Sequence, residues 1–127
     1  MSTKKKVLLV DDDPLIIQTY QTEFELSGFE VIKANDGQTG LKTAKEKSPD
    51  VILLDILMPM MTGLEVLRKL KADPEVSEIP VFILTNIGQD QAVKEALDGG
   101  AKDFILKYRY TPAEVVAKVK EVIKDNL

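Results

Sequence analysis

The chain has no cysteine, no histidine and no tryptophan. Without cysteine there can be no disulfide, thiolate zinc site, iron–sulfur cluster or cysteine nucleophile. Without histidine there is no Ser-His-Asp triad, no imidazole metal ligand and no phosphohistidine on this chain. Any chemistry falls to carboxylates, hydroxyls, amides and the cationic groups of Lys and Arg. The sequence also lacks a signal-peptide pattern and any apolar run of the roughly 18 residues that a membrane helix needs. No membrane contact is therefore expected, and the lack of cysteine fits a cytoplasmic location. Positive charge is in deficit: 17 Lys and Arg against 21 Asp and Glu give a net charge of −4, which disfavours nucleic acid as a direct partner. The run Lys4-Lys5-Lys6 neutralises too few phosphates to change this and reads as a solvated start to a first strand.

What is present suits one globular domain. The chain has 127 residues, 44% of them hydrophobic and 30% charged, and a chain of this length buries roughly two-thirds of its unfolded surface. Short apolar runs stand at Val7–Val10, Val51–Leu54, Val81–Leu84 and Phe104–Leu106, with a weaker one at Phe29–Ala34. Runs that are apolar at every position suit strands covered on both faces. Between them the spacing is helical, as in Ile17, Tyr20 and Phe24, in Val93, Ala96 and Leu97, and in Val115, Val119, Val122 and Ile123. Asp13-Pro14 reads as an N-cap followed by Pro at the first helical position. Asp36 can cap a second helix. Thr62–Glu65 and Thr111–Glu114 have capping-box spacing. Asp73-Pro74 should stop the third helix and Gly99-Gly100 the fourth. The sequence predicts strand–helix pairs at 5–10 and 14–27, 29–34 and 37–47, 51–55 and 63–72, 80–85 and 89–98, and 103–107 and 112–125. Such alternation implies an α/β fold with a doubly wound parallel sheet and right-handed crossovers. A single domain over 1–127 with no output domain is expected.

In an open parallel sheet, ligands sit beyond the carboxyl ends of the strands. On this reading the first strand runs into Asp11-Asp12-Asp13, the third ends at Asp55, the fourth at Thr85 and the fifth at Lys107. Asp13 is accounted for as a cap, and any one of the others has an ordinary explanation as turn chemistry, a strand-closing threonine or a surface lysine. Their joint placement on one rim does not. Two carboxylates about 4 Å apart repel by roughly 4 kcal/mol at an effective dielectric of about 20, and a divalent cation removes that repulsion. Oxygen ligands with room for water suit Mg²⁺. A phosphoryl group drawn to the cation can be held by Lys107 and Thr85, and a carboxylate can accept it as an aspartyl phosphate.

The segments Val7–Asp13, Asp55-Ile56-Leu57-Met58-Pro59, Gly63, Phe82–Thr85 and Asp103–Lys107 together resemble the receiver domain of two-component response regulators, in order and spacing, over the whole chain. The resemblance implies a flavodoxin-like sheet of order 2-1-3-4-5 with five helices. It implies that Asp55 is the phosphoacceptor and that Mg²⁺ is bound directly by Asp12 and Asp55, through water by Asp11, and by the Leu57 backbone carbonyl. Thr85 and Lys107 would bind the phosphoryl group. Phe104 occupies the aromatic switch position coupled to Thr85, and Met58-Pro59 and Gly63 shape the loop that presents Asp55. The implied partners are a sensor histidine kinase or phosphotransfer protein carrying phosphohistidine, and an unknown downstream protein. The implied state is a monomer or a phosphorylation-dependent dimer. Such a domain is a switch, not an enzyme.

Four positions depart from the family pattern. Tyr108 follows Lys107 where Pro is usual, and a trans Lys107–Tyr108 bond is expected because a cis non-proline bond costs about 3–4 kcal/mol. Asn86 stands where a small residue is common. Leu57 and Ile87 are apolar where polar residues influence the hydrolytic water, so slow loss of the phosphoryl group is expected. Two other readings compete. A receiver-like binding scaffold would have no need of the intact Asp11, Asp12, Asp55, Thr85 and Lys107 set. An aspartyl-phosphate hydrolase of the haloacid dehalogenase type would need an acid at Leu57 and a cap domain. A flavodoxin-like electron carrier is disfavoured by the absence of Trp and by Asp11-Asp12, which would repel a flavin phosphate.

Overall fold

In the computed structural model, which describes residues 4–86 and 88–124, strands and helices alternate along the chain. They are β1 (Lys6–Val10), α1 (Pro14–Leu26), β2 (Glu30–Ala34), α2 (Gly37–Lys47), β3 (Val51–Leu54), α3 (Gly63–Ala72), β4 (Val81–Thr85), α4 (Asp90–Asp98), β5 (Asp103–Leu106) and α5 (Pro112–Lys124), with a 3-10 turn at Lys107–Arg109 between β5 and α5. All strand pairs are parallel and the order is β2-β1-β3-β4-β5. The chain thus has the doubly wound α/β fold that its alternation implies, in the flavodoxin-like strand order that the resemblance implies.

The pleat divides the core in two. Leu8, Val10, Ile52, Leu54, Val81 and Ile83 face one way and pack with Ala44, Val66, Leu67, Leu70 and Ala96 of α2, α3 and α4. Val7, Leu9, Leu53, Phe82, Leu84 and Ile105 face the other way, against α1 and α5, where Ile17, Tyr20, Phe24, Val115, Val119 and Ile123 are buried. Successive strand side chains point to opposite faces, so continuous apolar runs are what two covered faces require. The edge strands differ. β2 buries only Ala34 and β5 only Ile105 fully. Helix α4 also departs from its pattern, burying Ala96 alone and leaving Leu97 exposed. With a single buried residue, α4 rests on the sheet more lightly than the other helices do.

The helix ends follow local chemistry. The Asp13 carboxylate accepts from Leu15 N at 2.9 Å and that of Asp36 from Thr39 N at 2.7 Å. Gly100, at φ +102°, turns the chain out of α4 in a conformation open to glycine. At Thr111 the capping box is complete: Glu114 N donates to Thr111 Oγ1 at 3.1 Å, and Thr111 N donates to Glu114 Oε1 at 2.8 Å. At Thr62 only one backbone arm forms, Glu65 N donating to Thr62 Oγ1 at 3.3 Å. Thr111→Ala should therefore lower unfolding stability by about 1 kcal/mol, and Thr62→Ala by less. Denaturant titration of both variants checks the order.

Candidate functional site

The strand register assembles the site. Val10 pairs with Leu54, so the next residues, Asp11 and Asp55, emerge side by side. Two backbone bonds extend the ladder past the strands, from Asp55 N to Val10 O at 3.0 Å and from Asp11 N to Ala34 O at 3.1 Å. Both carboxylates are buried, Asp11 at 6% and Asp55 at 7% exposure, whereas Asp12 is exposed. Carboxylate oxygens of Asp11, Asp12 and Asp55 lie within 4.8 Å of one another. Lys107 reaches them from the turn after β5. Its Nζ is 2.8 Å from Asp11 Oδ2 and 3.7 Å from Asp55 Oδ2.

The remaining carboxylate oxygens are held by backbone. Asp13 N donates to Asp11 Oδ1 at 3.0 Å, and Ile56 N donates to Asp55 Oδ1 at 2.8 Å. Thr85, fully buried at the end of β4, has its side chain near enough to the Asp55 carboxylate to favour its charged form. Burial pushes the Asp55 carboxyl above the usual carboxylate range, and the Asp11 charge adds to that. Lys107, Thr85 and the Ile56 N–H pull it down without reversing the shift. Register also relates Thr85 to Phe104. Ile83 pairs with Phe104 and Thr85 with Leu106, which puts Phe104 and Thr85 on one face of neighbouring strands. Phe104 is half-buried and packs against the α2/α3 side of the core.

The loop from Asp55 to α3 closes tightly. Gly63 N donates to Ile56 O at 2.9 Å. A Cβ at Gly63 would overlap the Asp55 carbonyl oxygen and lie 2.8 Å from the Asp55 carbonyl carbon and 2.9 Å from Ile56 Cα. Ile56 and Met58 are buried while Leu57 and Met60 project outward, Met60 in the left-handed region at φ 72°.

Two buried carboxylates, a third at the surface, an ammonium and a hydroxyl are thus gathered at the carboxyl end of the sheet. Donors that are all oxygen, close together and partly open to solvent fit a hard divalent cation, with space for its waters. Residues 7–120 match the family described as the response regulator receiver domain. The chain belongs to that family. A receiver is a phosphorelay switch rather than an enzyme, phosphorylated by sensor kinases, with an acidic pocket for Mg²⁺.

Among curated relatives, the alkaline phosphatase synthesis transcriptional regulatory protein PhoP of Bacillus subtilis is 36% identical over 120 residues, covering 94% of this chain and 49% of that protein. The transcriptional regulatory protein PrrA of Mycobacterium tuberculosis is 37% identical over 122 residues, 96% of this chain and 51% of its own length. The receiver spans about half the length of the curated relatives it matches. Among solved structures, the chemotaxis response regulator CheY4 of Vibrio cholerae has a TM-score of 0.86 at 30% identity, covering 94% of this chain and 99% of that one. A CheY-like receiver from Methanospirillum hungatei has a TM-score of 0.88 at 28% identity, covering 97% and 96%.

Asp11, Asp12, Asp55 and Lys107 come together at the rim, with two adjustments. Asp55 lies just past β3 rather than within it, and Lys107 opens the 3-10 turn rather than closing β5. Among the described residues no peptide bond is cis, so Lys107–Tyr108 is trans as expected. Ile87, expected to wall the approach of water, lies outside the described residues. No described helix is long and apolar enough to cross a membrane. Sequence reasoning missed Tyr20 as a neighbour of the site. Its helical spacing announces only a core position, and nothing in the spacing says that the phenol approaches Asp11.

Proposed function

We propose that this receiver accepts a phosphoryl group on Asp55 from the phosphohistidine of a sensor kinase or phosphotransfer protein. The observation that carries the reading is the cluster of Asp11, Asp12 and Asp55 oxygens within 4.8 Å, faced by the Lys107 ammonium. Asp12 and Asp55 would hold Mg²⁺ directly, Asp11 through water, and the Leu57 backbone carbonyl would complete the protein ligands. A bound Mg²⁺ would neutralise the carboxylates and screen charge on the incoming group. The Asp55 oxygen that attacks phosphorus is the one not engaged by Ile56 N–H, so the backbone fixes the carboxylate's rotation. Transfer forms an O–P bond on Asp55 as the donor's N–P bond breaks, and Lys107 and Thr85 bind the phosphoryl oxygens.

The switch rests on Thr85 and Phe104. Phosphorylation of Asp55 gives the Thr85 hydroxyl, which lies near that carboxylate, a phosphoryl oxygen to bond and draws Thr85 toward the site. The space left on the shared face is then open to Phe104, which carries no hydroxyl and responds by packing alone. Shifting a two-state ratio from 1:99 to 99:1 takes about 5.5 kcal/mol, and bonds from Lys107 and Thr85 at about 1.5–3 kcal/mol each supply most of it. Output passes to a protein partner, with the receiver a monomer or a phosphorylation-dependent dimer. RpaA of Synechocystis, 34% identical over 119 residues, is a DNA-binding transcriptional regulator. With a net charge of −4, this receiver would act on such an output through protein contact rather than touch DNA itself.

Incubation with Mg²⁺ and acetyl phosphate followed by intact-mass measurement tests the reading. The wild type should gain one phosphoryl group and Asp55→Asn none. Equal modification of both would remove Asp55 from the role.

A further inference from the structure

Asp11 and Asp55 continue the pleat of Leu9 and Leu53, so both lie on the sheet face that α1 covers. Tyr20 sits on α1 over that face at 4% exposure. Helical side chains lean toward the helix N-terminus, which here is the Asp11–Asp13 end. Tyr20, Asp11 and Asp55 together line a void of about 10 Å³ whose other walls are apolar, among them Leu9, Ile17, Leu53 and Leu84. That volume is at the threshold for one water molecule, for which roughly 10–15 Å³ is needed.

A buried phenol ordinarily finds a partner for its O–H. In this lining the polar side chains other than Tyr20 are the carboxylates. A phenol is protonated at neutral pH, so the Tyr20 O–H is a donor that a carboxylate can use. Asp11 has capacity for it. Its Oδ1 takes Asp13 N–H and its Oδ2 takes Lys107, while a carboxylate offers about four acceptor positions.

We propose that Tyr20 is a positioning residue for Asp11, its hydroxyl reaching the carboxylate through the one water the void admits. Resting on the proposed Mg²⁺ site, this adds a support that Phe or Leu at position 20 would not provide. When Lys107 turns to a phosphoryl oxygen, Asp11 loses its cation, and Tyr20 with Asp13 N–H keeps its orientation.

Tyr20→Phe separates the roles, because the ring and its packing stay while the hydroxyl goes. Calorimetric Mg²⁺ titration should give about tenfold weaker binding for Tyr20→Phe, in the range seen when a ligand's supporting partner is removed, with an unchanged unfolding midpoint. Tyr20→Leu should match that loss and also unfold earlier. In the metal-free protein, the Asp11 carboxyl carbon NMR shift should move in Tyr20→Phe. Wild-type affinity together with an unmoved Asp11 shift in Tyr20→Phe would reduce Tyr20 to packing and overturn the proposal. Wild type that binds no Mg²⁺ would sink the metal reading instead, and the Asp11 shift would still decide the contact.

Discussion

Lys107→Met should destabilise the domain by about 3 kcal/mol at neutral pH, the scale for removing one partner of a buried ion pair. Methionine keeps most of the stem's volume, so the change isolates the charge. Lys107 Nζ lies 2.8 Å from Asp11 and 3.7 Å from Asp55, with all three side chains at most 9% exposed. Without the ammonium, two buried carboxylates face each other uncompensated. The Asp55 carboxyl is already above its ordinary range because of burial, with Lys107 the foremost influence holding it down, so the variant should push it higher still. An acid whose folded pKa exceeds its unfolded value favours folding fully below the unfolded pKa and loses that contribution as pH rises through the folded pKa. The variant's deficit should thus be largest at neutral pH and shrink on acidification through the Asp55 transition. Mg²⁺ should shrink it as well, by supplying a cation to the same carboxylates. Denaturant unfolding over pH, with and without Mg²⁺, measures all of this. Neutral-pH stability equal to wild type would mean that the ammonium compensates nothing. Phosphoryl acceptance from acetyl phosphate should fall about 10²–10³-fold, the scale for removing one preorganised electrostatic contact to a reacting group.

The same pleat that makes this pair also explains what could be read in advance. A parallel sheet covered on both faces shows itself as runs with no polar residue. Val51–Leu54 and Val81–Leu84 are such runs, and Asp13, Asp36, Thr62 and Thr111 mark where helices begin through their own side-chain bonds. The convergence of Asp11, Asp55, Thr85 and Lys107 followed from their positions at strand ends. Other features depend on neighbours distant in sequence. Which of three consecutive aspartates is buried is set by the face onto which the pleat turns Asp11, not by any local signal. The i, i+3, i+4 set Val93, Ala96 and Leu97 looked like a buried stripe. The sheet beneath α4 ends in the half-buried strand β5, and Leu97 is left in solvent. Tyr20 was legible as core and illegible as a neighbour of Asp11, because which residues line a void with it is a tertiary fact.

Gly63→Ala should cost about 3 kcal/mol, at the upper end for forcing extra atoms into a tight contact. Local propensity argues the opposite sign. Gly63 is the first residue of α3, its φ is not in the left-handed region, and replacing Gly by Ala within a helix ordinarily stabilises by about 0.5–1 kcal/mol. The difference lies in what a methyl would meet. It would overlap the Asp55 carbonyl oxygen and crowd the Asp55 carbonyl carbon and Ile56 Cα at 2.8 and 2.9 Å. All of these are backbone atoms at the end of β3, so no rotamer change relieves the overlap. The helix must move away or the acceptor residue must. The bond from Gly63 N to Ile56 O, 2.9 Å long, ties the two ends of the loop, so displacement of one drags the other. Asp55 would then be presented out of line with Lys107 and Asp12, and a displacement near 1 Å at a reacting group can cost about 10²-fold in rate. Unfolding free energy and the rate of phosphoryl uptake from acetyl phosphate should therefore fall together. A Gly63→Ala protein as stable as wild type would show that the loop absorbs the methyl. Normal stability with slowed uptake would show that it does so by moving Asp55, which makes the glycine a determinant of the acceptor's position rather than of the fold.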